Sequence, residues 1–226
     1  MDEPQSVKVV LLGESSVGKT SIINQFITKK FNSHCSTTVT AQFISEEIKF
    51  PEFEKSIKFN IWDTVGQEKY RSLAKIYYKD AEVIIFVYDI TKKFTFDSIK
   101  DYWFNETNNN TDGHPLFALV ANKVDLYEAQ EVEAKEGRAY ADEINAIFQS
   151  TSAKNDSGIN TLFENIGKKL IIPEYDYKNA DSKEQQEYIN KAKGKKTKKL
   201  ENKTNNIKLK KKDTKEIKEK NKRKCC

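Results

Sequence analysis

Three runs of this 226-residue chain are apolar at nearly every position: VKVVLL at 7–12, IIFVY at 84–88 and LFALVA at 116–121. Short unbroken runs of this kind are what strands need when both faces of a parallel sheet are covered. Between and beyond them, apolar residues recur at helical spacing over 21–29, 96–105, 130–145 and 159–170. The alternation of strand and helix predicts an α/β sheet with right-handed crossovers. Segments 42–49 and 56–62 instead alternate apolar and polar residues around a turn at 50–54 that holds Pro51. This predicts a hairpin, and with it one antiparallel edge strand. The Asn-rich stretch 105–110 is predicted as a loop.

Charge divides the chain. Between Lys191 and Cys226, 17 Lys and Arg stand against 4 Asp and Glu, a balance of +13, so the overall +5 leaves about −8 for residues 1–190. The segment after Pro173 is low-complexity Lys, Asn and Glu, too poor in apolar surface to order itself. The organisation expected is one folded domain over 1–172 and a disordered basic tail over 173–226. Three cysteines are too few for a disulfide framework, which makes a reducing compartment the default. The start, MDEPQSVK, has no apolar signal segment, Asp2 stands where myristoylation needs glycine, and no stretch of 18 apolar residues occurs. A chain made in the cytosol that does not span a membrane is expected.

Four motifs carry the chemistry, in this order: GESSVGKT at 13–20, DTVGQE at 63–68, NKVD at 122–125 and TSAK at 151–154. The first follows directly on 7–12, the strand context that a phosphate loop requires. Gly13 and Gly18 permit backbone angles that turn N–H groups onto phosphates, Lys19 supplies charge to the β- and γ-oxygens, and the Thr20 hydroxyl ligates magnesium. The helix that follows aims its N-terminus at the same anion. Ser15, Ser16, Val17 and Ser21 complete this part of the binding set, although Ser15 and Ser16 also suit a plain turn. Asp63, at a strand end, is expected to hold magnesium through a water, Gly66 to meet the γ-phosphate with its amide, and Gln67, the candidate catalytic residue, to orient the attacking water.

The last two motifs select the base. The Asp125 carboxylate can accept two hydrogen bonds from the N1–H and exocyclic amine of guanine, and a site built on such bonds discriminates by roughly 10⁴. Asn122 is expected to brace base and phosphate loop, Lys123 to pack its stem over the ring, and the Ala153 amide to reach the guanine oxygen, with Ser152 and Lys154 beside it. Singly, NKVD and TSAK are weak tetrapeptides. In order at strand ends, 29 residues apart from Asn122 to Thr151, they specify GTP or GDP with Mg2+.

With these motifs the chain resembles the Rab family of Ras-like small GTPases over about residues 6–170. The resemblance extends to KFNIWD, EKYRSLAKIYY and VYDIT, and to the terminal Cys225–Cys226 pair. It implies the small-GTPase form of the phosphate-loop fold: a mostly parallel six-stranded sheet with one antiparallel edge strand and helices on both faces. It implies a GTP hydrolase that recruits effectors in its GTP form and regulates vesicle-mediated membrane trafficking. Thr38 fits the switch threonine that joins magnesium when GTP is bound, with Thr37 as the competing choice, and Phe31 fits the aromatic that packs against guanine. Phe43, Trp62 and Tyr77 match a hydrophobic triad presented to effectors, simple core packing being the alternative. Thr40 and Val65 depart from the glycine and alanine usual in Rabs, which bears on switch conformation and hydrolysis rate.

The resemblance also implies partners: effector, exchange-factor, GTPase-activating and prenyl-binding chaperone proteins, and a membrane reached through a prenylated tail. No nucleic acid is expected. The Cys225–Cys226 ending is not C-a-a-X, so double geranylgeranylation of the Rab type is implied. Two lipids, or one plus the basic segment, anchor stably where one alone does not. A tail of about 50 residues reaches roughly 40 Å or more as a flexible tether. The location expected is the cytoplasmic face of endomembranes or vesicles, cycling with the cytosol. Two rival readings are a soluble GTPase acting in the nucleus or on nucleic acid through its basic tail, and a non-hydrolysing GTP-binding module.

Overall fold

The computed structural model describes residues 3–32, 38, 40–65 and 71–179. The chain divides after Ile171 into two units, and the fold is that of the first. The described part of the second includes a short helical turn at Tyr177–Asn179.

Six strands form one sheet: β1 (Gln5–Leu12), β2 (Gln42–Phe50), β3 (Lys55–Asp63), β4 (Val83–Asp89), β5 (Leu116–Asn122) and β6 (Ile147–Ser150), in the order β2-β3-β1-β4-β5-β6. Only the β2–β3 pair is antiparallel, joined through a tight turn at Pro51–Phe53 with Phe50 opposite Lys55. Every residue of β4 is buried, and all of β5 after Leu116, so the continuous apolar runs are the central strands. β6 has four residues, too few to stand out as an apolar run.

The helices are α1 (Lys19–Thr28), α2 (Arg71–Tyr78), α3 (Lys93–Ser98), α4 (Phe104–Asn110), α5 (Ala134–Glu143) and α6 (Ile159–Ile171). On one face α1 meets α6 where Phe26 stacks on Phe163, ring centroids 3.9 Å apart, with Phe59 of β3 edge-on at 5.8 Å. The other face is a core in which Tyr78, Phe96, Trp103 and Tyr140 from the helices pack on Phe86 and Leu119 of the sheet.

Two expectations are corrected. The stretch 105–110 is helical, and α3 runs into it through a wide π-turn at Ile99–Trp103. Asparagine is a poor helix former because its amide competes for the backbone. Here Asn110 Nδ2 donates back to Glu106 O at 2.8 Å, and buried Thr107 donates to Trp103 O at 2.9 Å. Tertiary ties finish the work: Tyr78 Oη donates to Glu106 at 2.7 Å, and Lys75 Nζ to Asn110 Oδ1 at 2.7 Å. The helix expected over 130–145 is shorter, Ala134–Glu143, because Val124–Ala129 folds as 3-10 turns and the chain then crosses to α5 as an irregular connection.

Replacing Phe163 by Ala empties the centre of the α1–α6 face and should cost about 3–5 kcal/mol of unfolding free energy. Phe43→Ala, at a ring 54% exposed on β2, should cost less than about 1 kcal/mol. Urea unfolding of the two variants, followed by circular dichroism, measures the difference.

Candidate functional site

The motif residues gather along the carboxyl edge of the sheet, where α/β proteins place their ligands. Gly13 follows β1, Asp63 ends β3, Asp89 ends β4, Asn122 ends β5 and Thr151 follows β6. Register aligns them: Leu11 pairs with Asp63, Asp89 with Asn122, and Ala121 with Ser150.

Between β1 and α1 the chain makes a loop that other side chains could not follow. Gly18 has φ +101°, and a Cβ there would lie 2.3 Å from Asn122 Nδ2. That amide donates to Val17 O at 2.8 Å, while Asn122 Oδ1 accepts from Thr151 Oγ1 at 3.0 Å. Lys19 is buried, and its Nζ donates to the Gly13 and Glu14 carbonyls at 2.8 and 3.0 Å. Burial lowers its pKa to about 8, against the charges of Asp63 and Glu14, which favour the ammonium. An ammonium short of solvent beside a helix N-terminus is prepared to receive an anion.

Thr20, Thr38 and Asp63 come together. Thr20 Oγ1 lies 2.7 Å from Thr38 Oγ1 and donates to Asp63 Oδ2 at 2.5 Å. Asp63 Oδ1 is buried with no hydrogen-bond partner. Burial raises the Asp63 pKa, opposed by the Thr20 hydrogen bond and the Lys19 charge. Hard oxygen donors, one of them orphaned, suit magnesium. Two of the three donors are hydroxyls, and among the described residues no group of three or more His, Cys, Asp or Glu is placed to hold a metal ion. The contact falls on Thr38, while Thr37 lies outside the described residues, as do Gly66 and Gln67.

A cavity of about 430 Å³ runs past these groups. Of the expected binding residues, Ser15, Ser16, Gly18, Lys19, Thr20, Ser21, Phe31, Thr38, Asn122, Lys123, Asp125, Ala153 and Lys154 line it. Gly13, Val17 and Ser152 do not line it and act as supports. A Cβ on Gly13 would meet the Val87 carbonyl at 2.2 Å, Val17 is buried, and Ser152 Oγ donates to Asp125 Oδ1 at 2.6 Å. Lys154 Nζ is 3.9 Å from Asp125 Oδ2. Phe31 is 41% exposed at the rim.

Asn32, Thr64 and Leu126 line the cavity too, unforeseen in the sequence, although Thr64 and Leu126 stand inside or beside quoted motifs. Asp89 was missed as a support. Its Oδ2 lies 2.6 Å from Lys123 Nζ, which also donates to Ser16 O at 2.7 Å. Its Oδ1 accepts from the Thr91 amide and hydroxyl at 2.9 and 2.7 Å. Burial disfavours the charge, but these bonds outweigh it and hold the pKa below the ordinary carboxylate value. The signal lay in VYDIT, whose Asp89 ends a strand beside the NKVD strand. Away from the cavity, Phe43, Trp62 and Tyr77 form an aromatic row, with centroids 5.2 Å apart for the first pair and 5.3 Å for the second.

Fold and cavity define a phosphate-loop protein built for a nucleoside di- or triphosphate. Residues 8–172 match the sequence model of the Ras family. The chain is 41% identical over 165 residues to the Ras-related protein RabJ of Dictyostelium discoideum, covering 73% of this chain and 63% of that protein. It is 39% identical over 166 residues to the Ras-related protein Rab-22A of Homo sapiens and of Mus musculus, covering 74% of this chain and 84% of each relative. The match thus spans less than two thirds of RabJ and most of Rab-22A. The chain belongs to the Ras family of small GTPases, and within it to the Rabs. GTP or GDP with magnesium are the ligands of that family, and the Thr20, Thr38 and Asp63 oxygens fit the ion.

Asp89→Asn should loosen Lys123 and speed GDP release about ten-fold, the weight of one charge-assisted bond. Displacement of a fluorescent GDP analogue reads the rate.

Proposed function

We propose that the chain is a Rab-type switch that binds GTP, hydrolyses it to GDP, and regulates vesicle-mediated membrane trafficking through effectors bound in the GTP form. One observation carries the nucleotide part of this reading: Thr20 and Thr38, whose hydroxyls meet, line the same cavity as Lys19 and Asp125, and the Asp63 carboxylate takes the Thr20 hydroxyl.

In this reading Lys19 meets the β- and γ-phosphates, and the backbone amides of 15–20 turn onto them. Asp125, held by Ser152, accepts from guanine, and Lys123, held by Asp89 and Ser16, lies along the base. Thr20, Thr38 and Asp63 would hold magnesium, which would supply positive charge to the phosphates. Gln67 orients the attacking water, and Gly66 donates to the γ-phosphate. Thr38 reaches the Thr20 hydroxyl, so a ligand that strengthens or removes this contact moves Thr38. The row Phe43, Trp62 and Tyr77 takes the effector.

The tail over 173–226 is the tether, with Cys225 and Cys226 as prenylation sites and its +13 segment directed to anionic lipid. Both cysteines lie outside the described residues. Among the described residues no helix is long and apolar enough to cross a membrane.

Gln67→Leu should lower activator-stimulated turnover at least about a hundred-fold, as expected when a water-positioning group is lost. Single-turnover hydrolysis measures it, and unchanged turnover removes Gln67 from the mechanism. In cells, the tagged full chain should label discrete membranes and its Cys225→Ser, Cys226→Ser double variant should be diffuse. Unchanged or nuclear labelling would transfer the role of the tail to its charge.

A further inference from the structure

A contact that none of the four motifs explains joins the phosphate loop to α3. Glu14, the second residue of the loop, is 7% exposed and does not line the nucleotide cavity. Its Oε1 accepts a hydrogen bond from Ser98 Oγ, at the last residue of α3. Its own carbonyl is one of the two that hold Lys19 Nζ. A single residue therefore carries part of the seat of the phosphate lysine on its backbone and an anchor to a neighbouring helix on its side chain.

The loop needs such an anchor. Gly13 and Gly18 give it backbone angles of φ +143° and +101° that leave the free chain wide conformational choice. Placement must then come from outside contacts, and a misplacement of about 1 Å at a phosphate site costs on the order of a hundred-fold. Asn122 fixes the loop from the β5 side at Val17. Glu14 fixes it from the α3 side, at the carbonyl that aims the ammonium, and a hydrogen bond to a carboxylate is about twice as strong as a neutral one.

We propose that Glu14 is a positioning residue for Lys19: the Ser98–Glu14 hydrogen bond sets the height of the loop so that the Gly13 and Glu14 carbonyls present the lysine to the β- and γ-phosphates. Ser98 is its partner in that role. The proposal rests on the guanine-nucleotide reading given above and adds to it two residues outside the cavity.

The test compares GDP with GMP, which lacks the phosphates that Lys19 addresses. Affinities of both are measured by displacement of a fluorescent GDP analogue from the full chain and from its Ser98→Ala, Glu14→Ala and Ser98→Thr variants. Ser98→Ala and Glu14→Ala should weaken GDP about ten-fold and GMP by less than about two-fold, with Ser98→Thr near wild type. Equal weakening of GDP and GMP would mean general damage to the fold and overturn the proposal, as would unchanged GDP affinity in both alanine variants. Failure of the wild-type chain to hold GDP at all would instead overturn the nucleotide reading, and the positioning role with it.

Discussion

The side-chain amide of Asn122 joins three segments that are far apart in the sequence. Its Nδ2 holds the phosphate loop at Val17, its Oδ1 takes the Thr151 hydroxyl after β6, and its own strand ends beside Asp89. The amide is buried, so each of these bonds is made without competition from water. Gly18 has no Cβ because that amide occupies the place where one would stand. Remove this knot and the loop, the strand end that leads to Asp125 and the β6 end lose their common reference. A parallel sheet supplies the strand ends, and one amide supplies the relation between them.

The same economy recurs one strand over. Asp89 and Lys123 are brought side by side by the β4–β5 register, and Lys123 reaches the loop at Ser16. Two successive side chains at the end of β5, Asn122 and Lys123, thus grip two successive residues of one loop, Val17 and Ser16. A loop gripped in this way can present N–H groups inward without help from its own side chains, which explains why small residues serve at Ser15 and Ser16.

The sheet was legible where its residues see the same environment along the whole element. β4 and β5 are buried on both faces and read as unbroken apolar runs, while β2 and β3 read as alternation with a turn at Pro51. The cavity was legible because glycine, lysine and strand context coincide at 13–20. Three things were not legible. α4 depends on Tyr78 and Lys75 from another helix, which local propensity in an Asn-rich stretch does not register. Asp89 supports the site through register, a relation between strands and not within one. Glu14 gains its direction from α3, which places Ser98 against it, a contact between segments 84 residues apart.

Among the described residues β2 pairs with β3 alone, so one side of it is an open row of backbone donors and acceptors. Such an edge invites a second chain to add itself as a strand. Glu46, Glu47 and Lys49 stand along it as a mixed line of charge, and the opposite edge, β6, is only four residues long. A flat approaching strand would have to strip water from those charges without offering partners in register. The protein can therefore carry an exposed phenylalanine, Phe43, on an edge strand and still discourage edge-to-edge aggregation.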